Sequence, residues 1–384
     1  MQKTISQIES EAACQNSTES ASDQLYQTAF ASWQQDTENV FSFCPPNPNP
    51  QTVFLEGIGM QKEDPAILER RALQRISNHF GILFLHQLLV PYFIILVCIL
   101  LFSFTSTPLS YSLHDMVLYG SDGAVLITII LQTLFRFGVP LFIAAHKMKM
   151  PREVTFCHQD APISAWLRTA AVTLCIFSVF GGVLMCFPET IIQVLTLGTL
   201  SHSILCMEPP YQLTYFLFIL LCRPIFETIL YHGSMLHVLR QFGDDTAVLL
   251  TAIFSAMMSE NLITAISAFA LSLLAGRGIL RHQNILIGLF ARYIYYILIF
   301  FGFHISIFQN DVPLPGRNIA VILIGMIGML LCILLLWKAP FKGKKRFQSI
   351  RSTGKCCLTF LIQANLMTFC MFVAFALLIV TSIL

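Results

Sequence analysis

One carboxylate of this chain stands inside an apolar run: Glu227, in the stretch Arg223-Pro224-Ile225-Phe226-Glu227-Thr228-Ile229-Leu230-Tyr231-His232-Gly233. A carboxylate among apolar neighbours can activate water as a general base, provided that His, Asn or a second acid holds the water and supports the developing oxyanion. It can also simply neutralise a cation, and Arg223, one helical turn earlier, is spaced for that pairing. Both roles stay open on these residues alone. His232 lies five positions after Glu227, about 140° around a helix of 3.6 residues per turn, so the two do not aim at one water. Thr228 and His232, four apart, are spaced to share a hydrogen bond. A second polar group follows in a later apolar run, where Arg292 stands beside Tyr293, Tyr295 and Tyr296. No His-Glu-x-x-His pair occurs, so a conventional zinc peptidase site is not expected, and no cofactor or metal is assigned.

The elements that must position these residues are apolar helices. Of the 384 residues, 55% are hydrophobic and 11% charged, against about a quarter charged in soluble domains. Mean hydropathy is +0.70. This composition excludes soluble enzymes and secreted modules, and a net charge of +2 leaves no surplus for nucleic acid. Six of the twelve cysteines (Cys98, Cys175, Cys186, Cys222, Cys332 and Cys370) lie in apolar runs, which argues against a disulfide framework. Nine runs approach or exceed the roughly 20 residues that span a hydrocarbon core. They cover about 80–103, 123–145, 164–187, 211–238, 246–259, 262–276, 283–303, 318–337 and 359–383, the fifth and sixth being short. The expected fold is an all-α polytopic transmembrane bundle of eight to nine spans, with 191–205 as a re-entrant or interfacial piece.

The stretch from Pro224 to Gly233, followed by Leu239-Arg240-Gln241-Phe242-Gly243, resembles the first motif of the CAAX prenyl protease and bacteriocin-processing family of intramembrane proteases. That family has Glu-Glu-x-x-x-Arg, a Gly and a short basic connection, then Phe-x-x-x-His and, about 35 residues later, His-x-x-x-Asn. The likeness runs from Pro224 to about Leu298 with little or no gap, and implies a family core at about 211–303. Glu227 keeps the first acid, but Thr228 replaces the second and His232 the Arg. Phe254 is kept, while the His position falls on Met258, or on Ser259 with one inserted residue. Arg292 stands at the second His and Tyr296 at the Asn. In the family the Glu is thought to activate water, with His and Asn acting in catalysis or oxyanion support. If the fold persists, the resemblance implies that Arg292 faces Glu227 across the former site and plugs it as an ion pair, in competition with Arg223.

Residues 1–60 carry seven acids and one base, Lys3, with four prolines between Cys44 and Pro50, and are expected to form a disordered acidic tail. Residues 61–79, with Ile67, Leu68, Leu73 and Ile76 against Arg70, Arg71 and Arg75, read as an amphipathic juxtamembrane helix, and 80–384 as the bundle. Sixteen of the 23 Lys and Arg fall in alternate connections that share one side if the N-terminus is cytoplasmic, and only Arg317 falls opposite. The N-terminus is therefore expected inside and the C-terminus outside, in a bacterial-type inner (plasma) membrane. His237 and His282 then lie at cytoplasmic helix ends, where solvation is the default. The run Lys338 to Lys355 is a topology signal, with contact to anionic lipid as a secondary role.

The leading functional expectation is a pseudoprotease that binds or regulates a membrane or lipidated (prenylated) peptide or protein, with membrane lipids as its surroundings. The alternatives are an active endopeptidase with a rearranged site around Glu227, and a small-solute transporter whose path passes Arg136, Arg223, Glu227 and Arg292. No paired, Gly- or Pro-broken repeat supports the transporter.

Overall fold

The computed structural model describes residues 23–44, 52–55, 59–62, 65–105, 107–112, 117–185, 207–259, 262–307, 330 and 366–383. Besides a single turn at Arg152–Thr155, ten helices organise them: α1 (23–34), α2 (Pro65–Ser103), α3 (Asp122–Met148), α4 (Ile163–Met185), α5 (Pro209–Glu227), α6 (Leu236–Arg240), α7 (Asp244–Met257), α8 (Leu262–His282), α9 (Ile285–Ile307) and α10 (Leu366–Ile383). A π-helical segment, Thr228–Met235, joins α5 to α6 without a break. Two short antiparallel hairpins, Thr52–Leu55 with Gly59–Lys62 and Ser110–Ser112 with Val117–Tyr119, are the only paired strands among the described residues.

Four stretches among the described residues are long and apolar enough to cross a membrane: Ile67–Ser103, Asp122–Met148, Pro209–Arg240 and Thr264–His282. Shorter apolar helices at Ile163–Val179, Ile285–Leu298 and Leu366–Leu377 accompany them. The chain is a multi-pass, all-α membrane protein. Eight of the nine apolar runs fall on described helices, while 318–337, the 191–205 piece and the basic run 338–355 lie outside the described residues. The fifth run, α7, has 14 residues and so rises only about 21 Å at 1.5 Å per residue. Asp244 and Asp245 in its first turn complement the helix dipole, and Gly243 before them adopts φ 123°, a conformation that L side chains rarely reach.

The core is aromatic where α2 meets α7. Phe80 and Phe84 each set an edge against Phe254, with ring centroids 6.0 and 6.1 Å apart, and all three side chains are fully buried. Helix α10 lies on α2 so closely that a Cβ on Gly81 would stand 2.7 Å from the backbone nitrogen of Met367. Helix α9 packs against α4 and α8.

Two expected segment boundaries are corrected. Residues 23–44, expected within a disordered tail, are folded onto the bundle, with Tyr26, Phe30, Trp33 and Phe41 buried. Spacings of four and three put Tyr26, Phe30 and Trp33 on one helix face, and that aromatic stripe outweighs the acidic composition around it. The segment 61–79 is not a separate surface helix. From Pro65 it continues unbroken through the first span as one 39-residue helix, and Leu73, Ile76 and Phe80 lie in the core rather than on a lipid surface.

Candidate functional site

Glu227 ends α5, and its side chain is buried between α5 and α9. Oε1 accepts hydrogen bonds from Arg223 Nε at 2.8 Å and from the Tyr296 hydroxyl at 3.1 Å. Oε2 accepts from Arg292 Nη1, which forms the second ion pair on the same carboxylate. The other terminal nitrogen of Arg292 reaches Ser255 Oγ on α7 at 3.4 Å. Three helices thus converge on one group. The Arg292 side chain is 3% exposed, against 18% for Arg223, so Arg292 forms the drier of the two pairs. The Arg223 guanidinium also lies over the rings of Tyr296, at 5.5 Å, and Phe137, at 5.9 Å.

The replaced family positions split into two groups. Arg292 and Tyr296, which stand for His and Asn, meet Glu227 directly, although 65 and 69 residues separate them from it. The others turn elsewhere. Met258 presents its carbonyl to Arg136 of α3, while its side chain is buried. Ser259 Oγ points back to the carbonyls of Ser255 and Thr264, each at 3.4 Å. Thr228 and His232 do not share the hydrogen bond that their spacing allows. His232 Nε2 lies 3.0 Å from Ser272 Oγ and 3.3 Å from the Ser272 carbonyl, on α8, whereas Thr228 Oγ1 and His232 Nδ1 have no partner among the described residues.

The cause of this divergence is the π segment that begins at Thr228. Its hydrogen bonds run from i to i+5, so the four-residue spacing that stacks side chains on an α-helix no longer does so. His237 is corrected as well: it is buried at the end of the same rod, with Nδ1 2.9 Å from the Tyr26 hydroxyl, rather than solvated.

Ser255 and the π segment are the site features that sequence reasoning missed. Thr251 and Ser255 are four apart on α7, small polar residues that mark the face turned to Arg292. Among the described residues no three His, Cys, Asp or Glu side chains gather where they could hold a metal ion.

Residues 209–298 match the family model described as type II CAAX prenyl endopeptidase Rce1-like. The chain carries an Rce1-like domain. The matched stretch covers α5, the π segment, α6 to α8 and the first half of α9, and so includes every residue of the Glu227 cluster except Arg136 and Phe137. This supports membership of the CAAX prenyl protease and bacteriocin-processing family, and Phe254, at the Phe of the second motif, joins the matched stretch to α2 through Phe80 and Phe84. No curated protein and no solved structure matches the chain.

Proposed function

We propose that this CAAX-protease-like membrane protein is a pseudoprotease, one that binds or regulates a membrane or lipidated peptide or protein without cutting it. The observation that carries the reading is the occupancy of Glu227: both carboxylate oxygens accept hydrogen bonds from Arg223, Tyr296 and Arg292. A hydrolytic water must lie within hydrogen-bond reach of its base, and here it would have to displace one of these protein donors. Nor does the neighbourhood supply the imidazoles that the family uses. Met258, or Ser259 with one inserted residue, and Arg292 stand at the two His positions, and His232 is turned to Ser272.

Purified protein in detergent or proteoliposomes is therefore expected to leave prenylated CAAX peptides and other membrane peptides uncut above background, both with Glu227 intact and as Glu227→Gln. Cleavage that this single substitution abolishes would reject the pseudoprotease reading in favour of an endopeptidase built around Glu227. A separate pull-down with an immobilised farnesylated peptide tests the binding half: retention that the unprenylated peptide does not give is the expected result.

The orientation proposed is N-terminus cytoplasmic and C-terminus outside, in the plasma membrane. The bases Arg75, Lys147, Lys149, Arg240 and Arg281 support it, since they gather at the end of the bundle where residues 23–44 and the loop beside them fold. A reporter active only outside the cytoplasm is expected to work when fused after Leu384 and to be silent when fused near Lys345. The opposite pattern rejects the orientation.

A further inference from the structure

The N-terminal residues 23–43 touch the bundle toward one end, where Phe41 and Ser42 meet α2 and the other contacts fall on the ends of helices that supply the Glu227 cluster. The Tyr26 hydroxyl accepts from Arg240 Nη1 at 2.7 Å and lies 2.9 Å from His237 Nδ1. The Arg240 guanidinium also sits 5.3 and 5.4 Å from the ring centroids of Tyr26 and Phe30. His237 and Arg240 terminate the continuous rod that carries Arg223 and Glu227. Trp33 Nε1 and Asn39 Nδ2 both donate to the backbone carbonyl of Met148, at 2.8 and 2.7 Å. Met148 is the last residue of α3, whose Phe137 ring lies against the Arg223 guanidinium.

The third helix is reached through a relay. Gln159 donates one hydrogen bond to Asp23 Oδ1, at 2.7 Å, and another to Gln283 Oε1, while its backbone carbonyl accepts from Asn284. Gln283 and Asn284 lead directly into α9, the helix of Arg292 and Tyr296. Gln241 then closes the far side, accepting from the Phe43 backbone N–H and donating to the Phe41 carbonyl, each at 2.8 Å. Thus about twenty residues hold the ends of α3, of the Glu227 rod and of α9, the three elements whose interior positions must coincide to form the cluster.

We propose that residues 23–43 form a releasable strap that sets the relative position of these three helix ends and so keeps the Glu227–Arg292 pair closed. The strap is one continuous segment whose contacts are made by side chains of a short amphipathic helix and by side chains and backbone of the turn after it, and helices dock into grooves in this way. It sits on the ends of the apolar spans and against Phe80 of α2, so that its departure uncovers side chains rather than the hydrogen-bonded backbone of the spans. The proposal does not rest on the pseudoprotease reading, because it is read out by shielding and coupling rather than by activity.

Cys157 provides a native reporter. It lies in the buried cluster that Tyr26 also joins, and burial pushes its thiol up to about 12. A thiol so shielded and protonated reacts slowly with alkylating reagents at pH 8. A site-specific protease sequence inserted between Pro46 and Asn47 of the full chain allows the strap to be cut from the folded, purified protein. Tyr26→Phe and Trp33→Phe, which remove the hydrogen bonds and keep an aromatic ring at each position, smaller at the second, weaken its hold.

After cutting, the fragment from the Tyr26→Phe/Trp33→Phe protein is expected to separate on size exclusion, and alkylation of Cys157, followed by peptide mapping, to accelerate at least tenfold. The non-additivity between Glu227→Gln and Arg292→Gln should shrink in the cut protein. Should the double substitution impair folding, cut Tyr26→Phe protein is read in the same way. Release of the fragment with the Glu227–Arg292 coupling unchanged would make the segment mere packing and overturn the proposal. Retention of the fragment after cutting, with Cys157 still shielded, would overturn it equally, since the segment would then be a fixed part of the fold.

Discussion

Glu227→Gln should destabilise the detergent-purified protein by roughly 3 to 5 kcal/mol, because it leaves the buried Arg292 without a counter-charge, and Arg292→Gln by less, because Arg223 still pairs with Glu227. The two together should cost clearly less than the sum, since the second substitution removes the charge that the first left stranded. The buried Glu227–Arg292 pair is the reason. Arg223→Gln should cost the least of the three, because Arg292, the more buried cation, still pairs with Glu227. Thermal melts of the three single variants and the Glu227→Gln/Arg292→Gln double variant test this. Additive losses for Glu227 and Arg292, with strong coupling of Glu227 to Arg223 instead, would reduce the cluster to a local pair within one helix. They would also remove the main energetic link between α5 and α9.

Phe254→Ala should cost a comparable amount, roughly 3 to 5 kcal/mol, for a different reason. Its ring is fully buried and makes edge contacts with both Phe80 and Phe84, so truncation opens a cavity where α2 meets α7. Phe254→Leu, which refills part of that volume, should recover most of the loss. Equal damage from Leu and Ala would mean that the ring acts through something other than packing. The comparison matters because Phe254 occupies a motif position of the family, where its presence could be mistaken for a sign of retained chemistry. Here it anchors the helix that delivers Ser255 to Arg292.

What the sequence made legible depended on contrast. A lone acid in an apolar run stands out, and the family register then paired it with Arg292 across 65 residues, a contact that no periodicity within one helix could reveal. The apolar runs located most of the helices for the same reason: their boundaries are changes of composition. The π segment was invisible because Thr228 to Met235 lies in a helix buried on almost every side, where apolar residues recur at all spacings and no phase can be read. The folded residues 23–44 were hidden by averaging. Seven acids over sixty residues describe a solvated tail, whereas Tyr26, Phe30 and Trp33 read at their own spacing describe a docked helix face. In α2 the clustered arginines drew a boundary that the backbone ignores, since a helix passes from water into lipid without any change of hydrogen bonding.

The π segment between Glu227 and His237 also has a consequence for the length of that rod. A π turn accommodates more residues than an α turn, so the segment stores surplus chain without altering the directions in which its two flanks face. Were it to relax to α geometry with nothing removed, each surplus residue would rotate the lower flank by about 100° relative to the upper one. His237 and Arg240 would then swing away from Tyr26, or Glu227 away from Arg292. The removal of one residue between Thr228 and Met235 is therefore the change that this helix is built to absorb, whereas an insertion there would force its two ends to choose between their partners.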